Sequence, residues 1–142
     1  MSIGTAANPA KATLDTNIII SGLGFGGKPR KILHLILDDK IKAVTSPILL
    51  AELEDVITKK FQKLTYNIGP INKQIKRKFK IVKPKTSLLV VKDEPDNRVL
   101  EAAIEGNCKY IVTGDKELLR LKSYQNVKIV TADQFLKILE EN

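Results

Sequence analysis

The sequence predicts an α/β fold: a central parallel sheet with helices packed on both faces. Three observations predict it. Short apolar, β-branched runs alternate with longer segments of helical periodicity along the chain. Helix-start signals recur between those runs: Pro29, the pair Ser46-Pro47, Pro95, and Thr131 with Gln134 three residues on. No internal repeat, low-complexity tract or Pro/Gly-rich linker divides the 142 residues. The whole of 1–142 is therefore expected to fold as one domain, with 1–10 a flexible N-terminal extension.

Each element has its own signal. Lys11–Leu14 and the Ile18–Ile20 run are apolar and β-branched, giving a first strand whose end the pattern leaves open. Gly22–Gly27 reads as a glycine-rich loop, and Pro29 at N1 starts a helix carrying Ile32, Leu33, Leu35, Ile36 and Leu37. Ile41–Thr45 is a short strand, after which Ser46 and Pro47 are the N-cap and N1 of a helix to about Lys60. Ile71–Phe79 is a basic helix, Ile81-Val82 a short strand, and Leu88–Val91 a candidate extended segment. Pro95 opens a helix to about Glu105; Tyr110–Thr113 is a strand, Lys116–Leu121 a helix and Val127–Val130 a strand. Thr131 and Gln134 form the capping box of the last helix, with Asp133 inside it in a structural role.

Composition narrows the chemistry. No stretch approaches the ~20 apolar residues of a membrane span, and the N-terminus lacks the regions of a signal peptide, so a cytoplasmic protein is expected. One cysteine, Cys108, excludes an intrachain disulfide framework and is read as a small buried hydrophobe. One histidine, His34, excludes a multi-His metal cage and is read as a surface or core-packing residue, not a catalytic one. Any metal chemistry must use oxygen ligands. The net charge of +8 is uneven: from Val56 to Lys92 there are eleven Lys/Arg and no acid, while the rest of the chain nets −3. Such a run suits a polyanion partner, and Lys73, Lys76, Arg77 and Lys78 are the candidate RNA-binding residues.

In a parallel sheet the ligand site lies beyond the carboxyl ends of the strands, and acids occur there. Asp15 follows the first strand, Glu52 lies in the helix after Ile41–Thr45, Asp96 is in the first turn of the helix opened by Pro95, and Asp115 follows Tyr110–Thr113. At 100° per residue, Asp96 falls within about 15° of the centre of its helix's apolar stripe, whereas Glu101 and Glu105 lie about 150–165° away. Glu52 is the most inward acid of its helix, by a smaller margin. Converging carboxylates repel unless a cation neutralises them, and hard oxygen ligands suit Mg²⁺ or Mn²⁺. An acidic metal pocket beside a basic surface is the design of a nuclease: the surface holds the phosphate backbone and the metal cuts it.

Four segments carry a family resemblance: LDTNIIISGL at Leu14–Leu23, SPILLAEL at Ser46–Leu53, DNRVLEAA at Asp96–Ala103 and YIVTGDKELL at Tyr110–Leu119. In this order the chain resembles PIN-domain proteins of the VapC-like toxin kind, from Lys11 to about Leu139. The resemblance implies a three-layer α/β/α fold and a Mg²⁺- or Mn²⁺-dependent endoribonuclease. It also implies a homodimer, and a small antitoxin whose C-terminal segment covers the active site. The family's metal-binding acids fall on Asp15, Glu52, Asp96 and Asp115. Asn17 resembles the polar residue supporting the first acid, and Thr113 the residue flanking the last. The stretch Asp93-Glu94-Pro95-Asp96 carries acids at three of four positions, so Asp93 either caps its helix, the preferred reading, or shares the metal-binding role.

Two other readings compete. Gly22 to Gly27 satisfies G-x-G-x-x-G and so resembles a dinucleotide-binding fingerprint, but the strand ending Val44-Thr45-Ser46 supplies no acid for a ribose. Those glycines are expected to form a mobile loop at the cleft rim. The second alternative is a non-catalytic PIN-like module that binds RNA or a protein.

Overall fold

The structure, a computed structural model, describes residues 9–60 and 65–141. The elements in chain order are β1 (Ala10–Leu14), α1 (Thr16–Gly24), α2 (Gly27–Leu37), β2 (Ile41–Thr45), α3 (Pro47–Lys60), α4 (Thr65–Lys78) and β3 (Lys80–Ile81), followed by α5 (Glu94–Glu105), β4 (Tyr110–Val112), α6 (Lys116–Leu121), β5 (Ser123–Tyr124), β6 (Val127–Val130) and α7 (Ala132–Glu141). The strands form one sheet in the order β3-β2-β1-β4-β6-β5. All pairs are parallel except the β5–β6 edge.

Adjacent side chains on a strand point to opposite faces, and here each face has its own core. Ala43, Val112 and Val130 join a core with α1, α2, α3, α4 and α7. Their neighbours Val44, Ile111 and Ile129 join a second core with Val99, Leu100, Ala102 and Ala103 of α5 and Leu118 of α6. These are the three α/β/α layers. The chain leaves β1 toward β2 on one side and returns through β4 on the other. The carboxyl ends of β1 and β4 therefore flank the topological switch point, where a crevice opens.

The structure corrects several expectations. Ile18–Ile20 belong to α1, not to the first strand, because the chain turns at Asp15 into a helix that is buried on nearly every side. Gly22 and Gly24 are helical too, so no mobile glycine loop lies there; only Phe25 and Gly26 separate α1 from α2. Gly22 serves close packing: a Cβ at that position would sit 2.6 Å from Leu33 Cδ1. Gly26, at φ +92°, makes the turn. With the glycines in helix, the phosphate-cradling turn of a dinucleotide site is absent.

Ala10, assigned to the N-terminal extension by sequence, is paired with Ile41 at the start of β1; residues 1–8 of that extension lie outside the described residues. The basic helix begins at Thr65, earlier than Ile71. Leu88–Val91 forms no strand. Residues 82–92 instead run as a strap over α5, bonded to its side chains. Lys85 N donates to Glu105 Oε1 at 3.0 Å, and Leu88 N to Glu101 Oε2 at 2.7 Å. The strap buries Glu101, which the helical stripe had placed outward, and Arg98 completes the cover through Glu101 (2.9 Å) and the Leu88 carbonyl (3.0 Å). The capping box forms as expected, with Thr131 N donating to Gln134 Oε1 and Gln134 N to Thr131 Oγ1. Asp133 pairs with Lys28 and Lys137. Cys108 is buried, and His34 is exposed.

Candidate metal centre

Asp15 is the residue at which β1 becomes α1. Its backbone N–H still donates to the β4 carbonyl of Val112 at 2.9 Å, while its carbonyl accepts from Ile18 N at 2.9 Å. Its side chain is thereby fixed at the switch point, 8% exposed. The Thr113 hydroxyl, fully buried, donates to Asp15 Oδ2 at 2.7 Å, and Asn17 N donates to Oδ1 at 3.5 Å. Thr113 Oγ1 also accepts from Asp115 N at 3.0 Å, so one hydroxyl ties together the acids that follow two strands. Asp115 is the N-cap of α6, its Oδ1 accepting from Glu117 N and Leu118 N at 2.9 and 3.0 Å. The Asn17 side chain reaches solvent and lines a groove of ≈ 500 Å³ with Ser21, Gly114, Asp115 and Glu117.

Asp96 comes from the first turn of α5, on the face the helical stripe predicted, and is buried. One carboxylate oxygen from each of Asp93, Asp96 and Asp115 lies within 4.8 Å of the other two. Asp15 and Glu52 stand outside that tight group but within electrostatic reach of it. Glu52 is half-buried on α3 and hydrogen-bonds the Thr16 side chain.

The electrostatics follow from this crowding. Burial pushes the Asp96 carboxyl up to about 7, helped by its hydrogen bond to Asp115 and by the charges of Asp115, Asp93 and Asp15. Burial also raises Asp15, with Asp115 adding to the rise while the bonds from Thr113 and Asn17 oppose it. Glu52 is raised by burial first and then by Asp15 and Asp93, against the Thr16 bond. Asp96 Oδ2 is buried with no hydrogen-bond partner. An orphaned carboxylate oxygen among repelling carboxylates, with only oxygen donors around it, fits a hard divalent cation.

Sequence reasoning selected Asp15, Glu52, Asp96 and Asp115, and the structure gathers all four at one end of the sheet. For Asp93 the sequence favours a helix cap and leaves a metal role open. Asp93 does occupy the N-cap position of α5, but its side chain makes no capping hydrogen bond. The signal was the Asp-x-x-Asp spacing of residues 93 and 96, which puts two carboxylates on one side of a helix start. The four candidate RNA-binding residues are less uniform than their sequence run. Lys73 and Arg77 are exposed, whereas Lys76 pairs with Glu54 and Lys78 with Asp39. Among the described residues no helix is long and apolar enough to cross a membrane.

Comparison with known proteins identifies the fold and the family. The chain is 34% identical over 145 residues to the uncharacterised protein MJ1680 of Methanocaldococcus jannaschii, covering 92% of each chain. It shares its fold with the structure of VapBC2 from Rickettsia felis bound to a DNA fragment from their promoter. The TM-score is 0.60 at 17% identity, over 85% of this chain and 98% of that one. It shares it also with PAE2754 from Pyrobaculum aerophilum, at a TM-score of 0.61 and 13% identity, over 94% and 91% of the two chains. The family model described as PIN domain matches residues 11–117, a span that holds every acid of the site, and the chain belongs to the PIN domain family.

Proposed function

We propose that the chain is a divalent-metal-dependent endoribonuclease that cleaves RNA phosphodiester bonds, the toxin of a toxin–antitoxin pair. Residues 1–142 act as one nuclease domain, in the cytoplasm and as a homodimer. The observation that carries the reading is Asp96 Oδ2, buried and unpartnered beside the carboxylates of Asp93 and Asp115. Asp15, Glu52, Asp96 and Asp115 hold Mg²⁺ or Mn²⁺, directly or through water. A bound ion supplies a water of lowered pKa and neutralises charge on the departing oxygen.

The protein's own part is positioning. Thr113 aims Asp15 by donating to Oδ2, a bond that favours the ionised form against the burial that raises this carboxyl. The α6 amides orient Asp115, and Asn17 lies in the groove wall beside it, where an RNA strand can approach. Lys73, Lys76, Arg77 and Lys78 hold the RNA backbone, Lys76 and Lys78 only in exchange for their acidic partners. The inhibitor is a small antitoxin covering the acids, a partner supported by the likeness to VapBC2.

Cleavage of a labelled structured RNA with Mg²⁺, Mn²⁺ or EDTA, beside the Asp96→Asn variant, tests this reading. Cleavage that needs the ion and disappears in the variant is expected. No cleavage by the wild-type chain with either ion, despite RNA binding, overturns it in favour of a binding module.

A further inference from the structure

We infer that Asp93 is an additional acid of the metal site and that Asn97 is the positioning residue that holds it there, through the backbone of residues 90–93. The inference rests on the metal-dependent reading above and extends it: there Asp93 only crowds Asp96, and Asn97 has no part.

Asp93 sits where a helix cap belongs, with extended backbone at φ −73° and ψ 111°. A capping carboxylate accepts from the N–H groups of the first turn, and that of Asp93 accepts from none. An exposed acid with no such bond ordinarily turns to water. This one instead keeps an oxygen within 4.8 Å of Asp96 and of Asp115, against their repulsion.

Something must hold it there, and the side chain one turn along α5 does. Asn97 is fully buried. Its Oδ1 accepts from Val90 N at 2.8 Å and Val91 N at 3.0 Å. Its Nδ2 donates to the Val91 carbonyl at 2.8 Å and the Asp93 carbonyl at 3.4 Å. Two bonds accepted and two donated use the full capacity of a carboxamide. Three go to Val90 and Val91 at the end of the strap and one to Asp93 itself, so Asn97 moulds the backbone that leads into Asp93 and sets the direction of its Cα–Cβ bond. Aspartate in its place could accept the two amide bonds but could not donate the other two. The arrangement is that of an outer residue orienting a metal ligand, whose loss typically weakens metal binding 10–100-fold.

The test is a double-mutant cycle read by Mn²⁺ binding calorimetry, with no RNA present, on the wild-type chain, Asp93→Asn, Asn97→Ala and the double variant. Each single variant is expected to weaken Mn²⁺ binding about 10-fold or more. The double variant is expected to be little worse than Asp93→Asn alone. Unchanged Mn²⁺ affinity in Asp93→Asn overturns the assignment of Asp93. A full multiplicative loss in the double variant overturns the link, since Asn97 would then act elsewhere. Should Asn97→Ala not fold, amide exchange decides. Mn²⁺ is expected to slow exchange at Val90 and Val91 in the wild-type chain and not in Asp93→Asn; no slowing in the wild-type chain overturns the link. A wild-type chain that binds no Mn²⁺ at all defeats the metal reading itself, and this inference with it.

Discussion

Replacing Asp96 with Asn should make the metal-free protein more stable at neutral and alkaline pH and leave its stability unchanged in acid. The Asp96 carboxyl is raised from 3.8 to about 7 in the folded chain. A raised carboxyl contributes its full stability below the unfolded value, near pH 4, and loses it as pH rises through about 7. Above pH 7 the folded protein therefore carries an ionised group it would rather hold neutral. Three units correspond to ~4 kcal/mol at most. Asp93 is exposed and Asp115 half-buried, so water and salt screen much of the repulsion, leaving about 1–2 kcal/mol. In a domain of 142 residues that is about 3–8 °C in Tm. Asparagine keeps the shape, and its amide can donate toward the Asp115 carboxylate. Thermal unfolding of both proteins in EDTA, from pH 4 to pH 8.5, should show curves that coincide at the acid end and part above pH 6. Millimolar Mg²⁺ should close the gap by stabilising the wild-type chain alone. A difference in Tm that does not change with pH, or a variant less stable at pH 8, would refute the argument.

Four other outcomes are expected. Thr113→Val removes the donor to Asp15 and the acceptor for Asp115 N; RNA cleavage should fall about 10–100-fold and stability by about 1–3 kcal/mol, whereas normal turnover would mean that the hydroxyl does not orient Asp15. Gly22→Ala drives a Cβ into Leu33 and should lower stability by about 1–3 kcal/mol, seen as a lower urea midpoint at unchanged slope. Replacing Lys73 and Arg77 together with Gln should flatten the salt dependence of single-stranded RNA binding by about 1.4 in the log–log slope, roughly 0.7 per phosphate contact. Lys76→Gln should instead cost stability too, since Glu54 loses its partner; an unchanged slope for the Lys73/Arg77 variant removes that face from the RNA path.

The parallel order of the chain was legible because its signals are local: apolar runs, Pro at N1, and the Thr131/Gln134 box. The acids after β1 and β4 were legible for the same reason, since the sheet rule says where to look. What failed depended on distant partners. Ile18–Ile20 look like strand because three consecutive β-branched residues have no helical period, and only the packing of α1 inside the first core explains them. Glu101 lies off its helix's apolar stripe, yet it is buried because the strap crosses there and offers the Leu88 amide. The β5 edge, two residues long, carries no period at all. Asp93, two residues before Pro95, reads in sequence either as an ordinary cap or, by its Asp-x-x-Asp spacing to Asp96, as a further acid of the site, and the sequence does not choose between them. Its membership of the acid group emerges only when α6 brings Asp115 alongside.

The bond between Thr113 and Asp15 spans 98 positions, and it sets a schedule for the ribosome. Asp15 is among the first residues made, but β1 lies mid-sheet, and its neighbour β4 is not synthesised until residues 110–112. Until then the first acid has no Val112 carbonyl to receive its N–H and no hydroxyl to aim it, and Asp115 does not exist. Local contacts form early in folding and distant pairings late. A nascent chain, or one broken off before β4, therefore has no assembled acid cluster. For a protein proposed to be poisonous to the cell that makes it, a product of translation broken off before β4 would lack the means of harm.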